Sequence, residues 1–500
     1  MTYFLAIAPI LLILVLMIGF HFGGQKAGPI GWIAGVLIAA AFFGLNWPTF
    51  WVSQAKGLLL SLYVLMVIWP ALLIYNLVDQ FGGIKALAES LGKAITDRSL
   101  LVVLTAWAFS GLLEGMAGFG LPIAIVAPIL VGMGVPALTA VAAVAVGHSW
   151  SVTFGGVGVT WQTLLAVTNL DASIIIPPAA FALAIACLGC GLGAARILGE
   201  LKIWPRILLI ALVMGSMQFA VAVAGLPQLG AFSAGLAGLV TGYVLGRNKK
   251  QGGIRTEPRM IAALAIYGSL AGVLLLLNFS GPLHTFLNTI RWQASFPEVI
   301  TKSNFVNPPS SGQIFRPFLH PGLIMLLIYL GTSWLLRRKR MALECDAQKI
   351  WRATWKAAAP TTIGVLFTIG LSTLMEHVGM TQMLANGLVI LLQSAYPLVA
   401  PWIGILGAFT TGSNNNSNVL FIPLQKSIAA LLGIAPAWLV AAQTAGGALG
   451  SMISPAKLII GTSTVGLRGK EGEVMRLTLP YAMGIGTGLG AMVLAIIHYL

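Results

Sequence analysis

Side chains that can handle charge or protons are scarce in this sequence. Four short segments interrupt the apolar stretches, GLLEGMAGFG (111–120), GHSWSVTFGGVG (147–158), TTGSNNNSNV (410–419) and TAGGALGSMISP (444–455), and Lys426 and Lys457 lie within apolar stretches close to the last two. Glu114 is the one Asp or Glu placed inside such a stretch; the other twelve fall in loops or at stretch ends. A carboxyl group in apolar surroundings must be paired, hydrated or protonated, which suits it to carrying a proton. The structural alternative is an acid at a turn, capping a neighbouring half-helix N-terminus. Gly115, Gly118 and Gly120 beside it leave backbone amides uncovered by side chains.

Thr411, Gly412, Ser413, Asn414, Asn415, Asn416, Ser417 and Asn418 form an uncharged polar run between apolar legs. Amides and hydroxyls both donate and accept, which fits a small solute bearing a hydroxyl and a carboxylate. The alternative is a turn that satisfies its own backbone. His148, with Ser149 and Thr153, is either a solute or proton partner or a donor satisfied at a helix end. Lys457, just after Ser454 and Pro455, is either the counter-charge for a carboxylate or a lysine snorkelling to the nearby aqueous face. Lys426 reads as snorkelling to the opposite face, and Gln443 and Thr444 are secondary solute contacts.

The elements around these residues follow from composition. Of 500 residues, 58% are apolar and 8% charged, against roughly 25% charged in soluble domains. With a mean hydropathy of +0.93, the solvent must be largely lipid. That excludes a soluble enzyme, a disordered chain and, despite a net charge of +15, a nucleic-acid binder. Cys187, Cys190 and Cys345 make no disulfide framework, and Cys187 and Cys190 lie in an apolar helical run without further ligands. The first apolar segment lacks a basic leader and a cleavage signal, and reads as a retained span. No phosphate loop, metal-spaced cluster or Arg-rich helix occurs, so neither a nucleotide motor nor a metal site is expected.

Hydropathy predicts spans at 3–20, 28–45, 58–78, 174–196, 205–224, 229–246, 260–280, 319–336, 359–376 and 480–499. Broken stretches cover 99–170 and 383–462. Basic clusters at Arg247/Lys249/Lys250/Arg255/Arg259 and from Arg337/Arg338/Lys339/Arg340 to Lys356 mark the cytoplasmic side. Only Lys56, Arg291, Lys302 and Arg316 then fall outside, and both termini come out external. The alternation closes if 99–134 and 399–434 are re-entrant hairpins and 136–170 and 436–462 are broken crossing helices, with breaks around Gly147 and Gly447.

The two broken stretches lie about 300 residues apart and share a layout: a Gly- or Asn-rich turn, an apolar leg, Pro-Ala at 136–137 and 436–437, then an Ala-rich half-helix. Their directions are opposed. The expected fold is an all-α polytopic membrane protein with inverted-topology repeats, each carrying a re-entrant hairpin and a discontinuous transmembrane helix. The first repeat would occupy 1–196, linking spans 197–280, an external loop 281–318 and the second repeat 319–500. Such repeats characterise secondary transporters, whose sites lie at the midplane where helices are interrupted.

At these segments the chain resembles the lactate permease family. FSGLLEGMAGFGLPIAIVAPILVGMG is similar to that family's FLEGxAGFGxPVAI hairpin, LGAFTTGSNNNSNVLFIPLQ to its GxFxTGSDTSSNALFxxLQ segment, and TAGGALGSMISP to its NTTGGVxGKMISP. The resemblance implies proton symport of lactate or glycolate across a bacterial-type inner membrane, and an ion-transporter-superfamily fold. The chain departs from the family at Asn414, where the pattern has an acid, and at Ser451, where it has a lysine. These departures concern the substrate more than the scaffold. The expected partners are a small organic anion and the lipid bilayer, with no cofactor beyond the coupling ion, a proton. Na⁺ is the alternative, since Asn, Ser and Thr with unwound carbonyls are ligands for it. An intramembrane enzyme would need a nucleophile–base pair that one Glu and one His do not supply.

Overall fold

The computed structural model describes residues 2–20, 22–118, 120–246, 257–338 and 346–499. Of the residues singled out above, Arg247, Lys249, Lys250, Arg255, Lys339, Arg340 and Cys345 lie outside the described residues. Leu37, Leu212, Val240, Leu276 and Ile390 project outward from long apolar helices whose other sides are buried. A surface of that kind is stable only against hydrocarbon. Among the described residues, eleven helical stretches are long and apolar enough to cross a membrane. The chain is an all-α polytopic membrane protein.

The first half begins with α1 (Thr2–Ile18), α2 (Gly24–Phe42), α3 (Trp47–Gln80) and the short α4 (Gly83–Ala94). A hairpin follows. Its inbound leg is α5 (Arg98–Leu104), a π turn (Thr105–Phe109) and α6 (Ser110–Met116); its return leg is α7 (Leu121–Gly132). Then come a broken helix, α8 (Ala137–His148) and α9 (Val159–Thr168), and a closing span, α10 (Ala172–Ile197). Two spans, α11 (Trp204–Val223) and α12 (Gly230–Gly246), lead to the second half.

That half runs α13 (Pro258–Phe279), α14 (Gly281–Thr289), α15 (Pro321–Arg338), α16 (Ala347–His377) and α17 (Met380–Leu392). It continues with a hairpin of α18 (Tyr396–Thr411) and α19 (Asn414–Leu432), a broken helix of α20 (Pro436–Gly450) and α21 (Pro455–Thr464), and α22 (Glu471–Tyr499). Setting aside α14, each element of one half has a counterpart in the other, in the same order.

Packing exchanges the counterparts across the pseudo-two-fold. The long helices α3 and α16 pack together; α2 lies on α16 while α15 lies on α3, and α1 touches α17 while α13 touches α4. The far end of each broken helix packs on the other half's hairpin, α9 on α19 and α21 on α7. This is the inverted repeat, and it interlocks the halves. The expected linking stretch 197–280 therefore divides: α11 and α12 link, whereas α13 takes the place in the second half that α1 holds in the first.

Several spans run past their predicted ends, notably α3, α16 and α22. Hydropathy stops where lipid stops, but backbone hydrogen bonding continues the helix into the polar headgroup zone. Asn46 and Asp346 cap α3 and α16 by accepting from the backbone N–H of Thr49 (3.0 Å) and Gln348 (2.8 Å). The breaks also fall later than expected: α8 runs through Gly147 to His148, and α20 through Gly447 to Gly450. The loop 281–318 holds α14 and two short antiparallel pairs, β1 (Ser295–Phe296) with β4 (Ser310–Ser311) and β2 (Val299–Ile300) with β3 (Val306–Asn307). It is latched down: Asn46 Nδ2 donates to Ile300 O (2.6 Å), Lys302 N–H to Gly44 O (2.7 Å) and Asn307 Nδ2 to His377 O (2.8 Å).

At the foot of the first hairpin, Asp97 caps α5. Leu100 N–H donates to its Oδ1 (3.2 Å) and Arg206 Nη1 on α11 to its Oδ2 (2.6 Å). Partial burial works against the charged form, but these donors outweigh it and hold the carboxyl below the usual range. Its contribution to stability is complete above the unfolded-chain value of about 3.9 and is lost as pH falls through the lower folded value. Asp97→Ala should cost roughly 1 kcal/mol, the worth of an N-cap, with little more from a half-exposed ion pair. Thermal melts check this: the gap to wild type should be full near neutral pH and should close in strong acid.

Candidate functional site: two hairpin tips and two helix breaks

Each tip and break is built by residues that cannot continue a helix. The first tip turns at Gly118 and Gly120, with φ of +67° and +82°. There glycine alone avoids the Cβ clash. The second tip turns at Gly412 (φ +70°), and Ser413 restarts the chain by accepting from Asn416 N–H (3.5 Å). The first break passes through Ser149–Ser151 and the glycines 155, 156 and 158 before α9; the second is the short passage 451–454 ahead of Pro455.

These four pieces meet around one cavity of about 460 Å³, within the usual range for small-molecule sites. Glu114 and Gly118 come from the first tip, Gly155, Gly156 and Thr160 from the first break, Thr411 to Asn416 from the second tip, and Lys457 from the second break. Gly23–Gln25, between α1 and α2, and Pro360, Thr361 and Gly364 of α16 complete the wall.

Glu114 is 2% exposed and its Oε2 has no protein hydrogen-bond partner. Gly155 makes room for it: a Cβ there would sit 2.8 Å from Glu114 Cγ. Lys457 enters from the other half, its stem passing Gly120. Glu114 and Lys457 are the charged residues among the described lining, and each lies in the other's field. Neither belongs to an ion pair closed within 4.0 Å among the described residues. An acid and a base thus face one polar chamber, one from each half.

Behind the lining lies a layer of side chains that hold it. Asn414 Nδ2 donates to Thr153 Oγ1 and to Thr444 O, both at 3.1 Å; since a carbonyl can only accept, this fixes the amide's orientation. Thr153 and Thr444 hydroxyls lie 3.1 Å apart, and Asn418 Nδ2 donates to Thr444 Oγ1 (2.9 Å). Gln443 Nε2 donates to Ser417 Oγ (3.1 Å), and Gln425, held by Tyr396 OH (2.9 Å), donates to Gln443 (3.0 Å). The network ties the first break to the second hairpin. It leaves Oδ1 of Asn414 and Asn415 as buried acceptors without a protein partner at the cavity.

The residues singled out from sequence therefore divide into three groups. Glu114, Gly118, Thr411, Gly412, Ser413, Asn414, Asn415, Asn416 and Lys457 line the chamber, with Gly120 against the lysine stem. Thr153, Ser417, Asn418, Gln443 and Thr444 form the supporting layer. Gly115, His148 and Ser149 stand away from the cavity. Gly115 abuts the backbone of α12, where a Cβ would meet Phe232 N at 2.5 Å. His148 Nδ1 bonds Val144 O (2.8 Å) and Ser149 Oγ bonds Ala145 O (2.8 Å), so both spend donors on their own helix. Lys426 is not free at the surface: its Nζ donates to Thr168 O at 2.6 Å. Thr160, Thr361 and Gln25 were not anticipated. Thr160 and Gln25 are ordinary polar residues near helix starts and Thr361 lies midway along α16, and only the assembled fold brings them to the chamber.

Interrupted helices converging from inverted halves on a shared polar chamber define a transporter fold. MtrF of Neisseria gonorrhoeae, described as representing a class of antimetabolite efflux pumps, shares the fold, with a TM-score of 0.51, 16% identity and 96% of both chains covered. The family model for L-lactate permease matches residues 2–255 and 271–500, and this chain belongs to that family. It is 27% identical to an L-lactate permease of Halalkalibacterium halodurans over 96% of this chain and 94% of that protein. To the glycolate permease GlcA of Escherichia coli it is 25% identical, over 98% of this chain and 94% of that protein.

Proposed function

We propose that the chain imports a small 2-hydroxy monocarboxylate of the lactate or glycolate type together with a proton, by alternating access around the tip chamber. The observation that carries this reading is the chamber's pair of charged residues, Glu114 and Lys457, one from each half. With Glu114 ionised, the two balance and an anion has no net attraction. A proton on Glu114 leaves Lys457 unbalanced, and a carboxylate restores neutrality. Proton and anion then bind, and leave, as a neutral pair. Thr411, Ser413 and the Asn414–Asn416 amides are placed to recognise the hydroxyl, and the names of the relatives support the substrate class.

Alternating access is supported by a thin septum. A second cavity lies along the same helices: Asn416 of α19 lines the tip chamber while Val419 lines the second, and on α16 the corresponding residues are Gly364 and Ile369. At 1.5 Å per residue, about 5–8 Å of buried chain separates the two compartments. The tip chamber opens beside Lys26 and Lys356, the side read as cytoplasmic from its excess of basic residues, so this conformation faces inward in a bacterial inner membrane.

Proteoliposomes with an imposed pH gradient test the proposal: labelled lactate or glycolate should accumulate with the gradient and stop accumulating when a protonophore collapses it. Accumulation indifferent to the protonophore would sink it. Na⁺ coupling is a second reading, favoured by the buried, unpartnered Oδ1 atoms of Asn414 and Asn415. Replacing Na⁺ by choline at constant pH gradient should leave uptake unchanged under the first reading and abolish it under the second.

A further inference from the structure

The second cavity, about 620 Å³, differs in character from the tip chamber. Its floor and walls are chiefly apolar, with Leu59, Leu60 and Met66 of α3 and Ile369 of α16. Its roof is the latched loop, which contributes Trp292, Phe296 and Phe315. Two lysines, Lys56 and Lys426, line it. One acid, the exposed Glu376, also lines it, and its charge acts on Lys426 more strongly than that of Lys56 does, so against the two lysines one positive charge is left over.

The positive charge left over after Glu376 can be met by an anion at the two lysines. Both lysines have donors to spare. An ammonium group has three; Lys426 uses one on Thr168 O (2.6 Å), and Lys56 makes a long contact to Ser310 Oγ (3.4 Å). The Lys426 contact is also a strap, since it joins the second hairpin's return leg, α19, to the carbonyl end of α9 in the other half.

We propose that this loop-side cavity is a second binding site, for a monocarboxylate bearing a bulky apolar group such as an aryl 2-hydroxy acid. The carboxylate lies between Lys56 and Lys426, and the apolar group lies beneath the loop aromatics. A carboxylate is a stronger acceptor for an ammonium group than a neutral carbonyl. The spare donors of Lys426 therefore take the carboxylate, which places the ligand directly beside the strap between the halves and the septum. The site goes beyond the transport reading above and does not depend on it, because its ligand need not cross the membrane.

The test is equilibrium binding of mandelate to the full-length protein in lipid nanodiscs at low ionic strength. Lys56→Gln and Lys426→Gln should each weaken mandelate binding at least tenfold, and Lys426→Arg should retain most of it. Asn414→Leu, which removes the amide that lines the tip chamber, should leave binding within twofold of wild type. If Lys426→Gln fails to fold for want of its strap, Lys56→Gln and the cavity-filling Ser311→Trp carry the test, since both alter the site without touching Thr168. The proposal is overturned by wild-type affinity in the Lys56 and filled variants, by loss of mandelate in Asn414→Leu alone, or by absence of mandelate binding to wild type at millimolar concentration. Lactate transport can fail in every arm without affecting this outcome.

Discussion

Proteoliposomes carrying Glu114→Gln should show no pH-driven accumulation of lactate or glycolate, yet should still exchange labelled for unlabelled anion. One pH unit is worth about 1.4 kcal/mol, or a tenfold concentration ratio across the membrane. A coupled carrier under a two-unit gradient therefore approaches a roughly 100-fold ratio, and the variant should fall to a ratio near unity. The physical reason is the chamber's charge balance. The substituted amide has the shape and charge of the protonated acid, so Lys457 stays unbalanced and an anion can still enter. No proton travels with it, because no group is left to bind one. Exchange survives, since the fully loaded chamber is still neutral. Lys457→Gln is the converse: anion binding should weaken by an order of magnitude or more, even with Glu114 intact. Wild-type accumulation by Glu114→Gln would take the proton-carrying role away from this residue.

Gly446→Ala should give a protein that does not survive extraction from the membrane, and Gly147→Ala should do the same. The two glycines lie on the broken helices of opposite halves, each pressed against the inbound leg of its own half's hairpin. A Cβ at Gly446 would sit 2.6 Å from the carbonyl carbon of Pro401, and one at Gly147 2.8 Å from that of Ala106. Both obstacles are backbone, which cannot rotate aside as a side chain can. Overpacking of ordinary cores costs about 1–3 kcal/mol; here the helices themselves must separate, and the loss should reach or exceed the top of that range. Gly484→Ala, on α22 with nothing within 4 Å of the new methyl, is the control and should be neutral or slightly stabilising. Fluorescence-detected size exclusion before and after heating ranks all three. Equal behaviour of the three would mean that the close approaches are not structural necessities.

The hairpins and breaks were legible because glycine, asparagine and proline are conspicuous in apolar surroundings, and bare backbone at membrane depth has to face something polar. Glu114 was legible for the same reason, as a lone carboxyl group that lipid would reject. Lys457 stood between two readings in the sequence, and its passage along Gly120 to the chamber wall is visible only in the assembled fold. His148 was ambiguous because a polar side chain in an apolar helix can close on the carbonyl one turn back, as its Nδ1 does, while its Nε2 is buried without a protein partner outside the chamber lining. The wall supplied by Gly23–Gln25 and Thr361 was out of reach of any local pattern. It arises from the exchange of α2 and α15 between halves, and no periodicity within one segment encodes which distant segment it meets. The placement of α13 opposite α1 was hidden for the same reason.

That exchange bears on how the protein is made. A ribosome adds roughly 5–20 residues per second, and the surface that receives α2 arrives with α16, about 300 residues later. For something on the order of 15–60 s the newly inserted amino-terminal segments sit in the bilayer without their final neighbours. Their glycine-lined seams are then open to stray helices. Biogenesis should depend on lateral protection by the insertion machinery during that interval, and two separately translated fragments, cut between α12 and α13, should assemble only when both are present in one membrane.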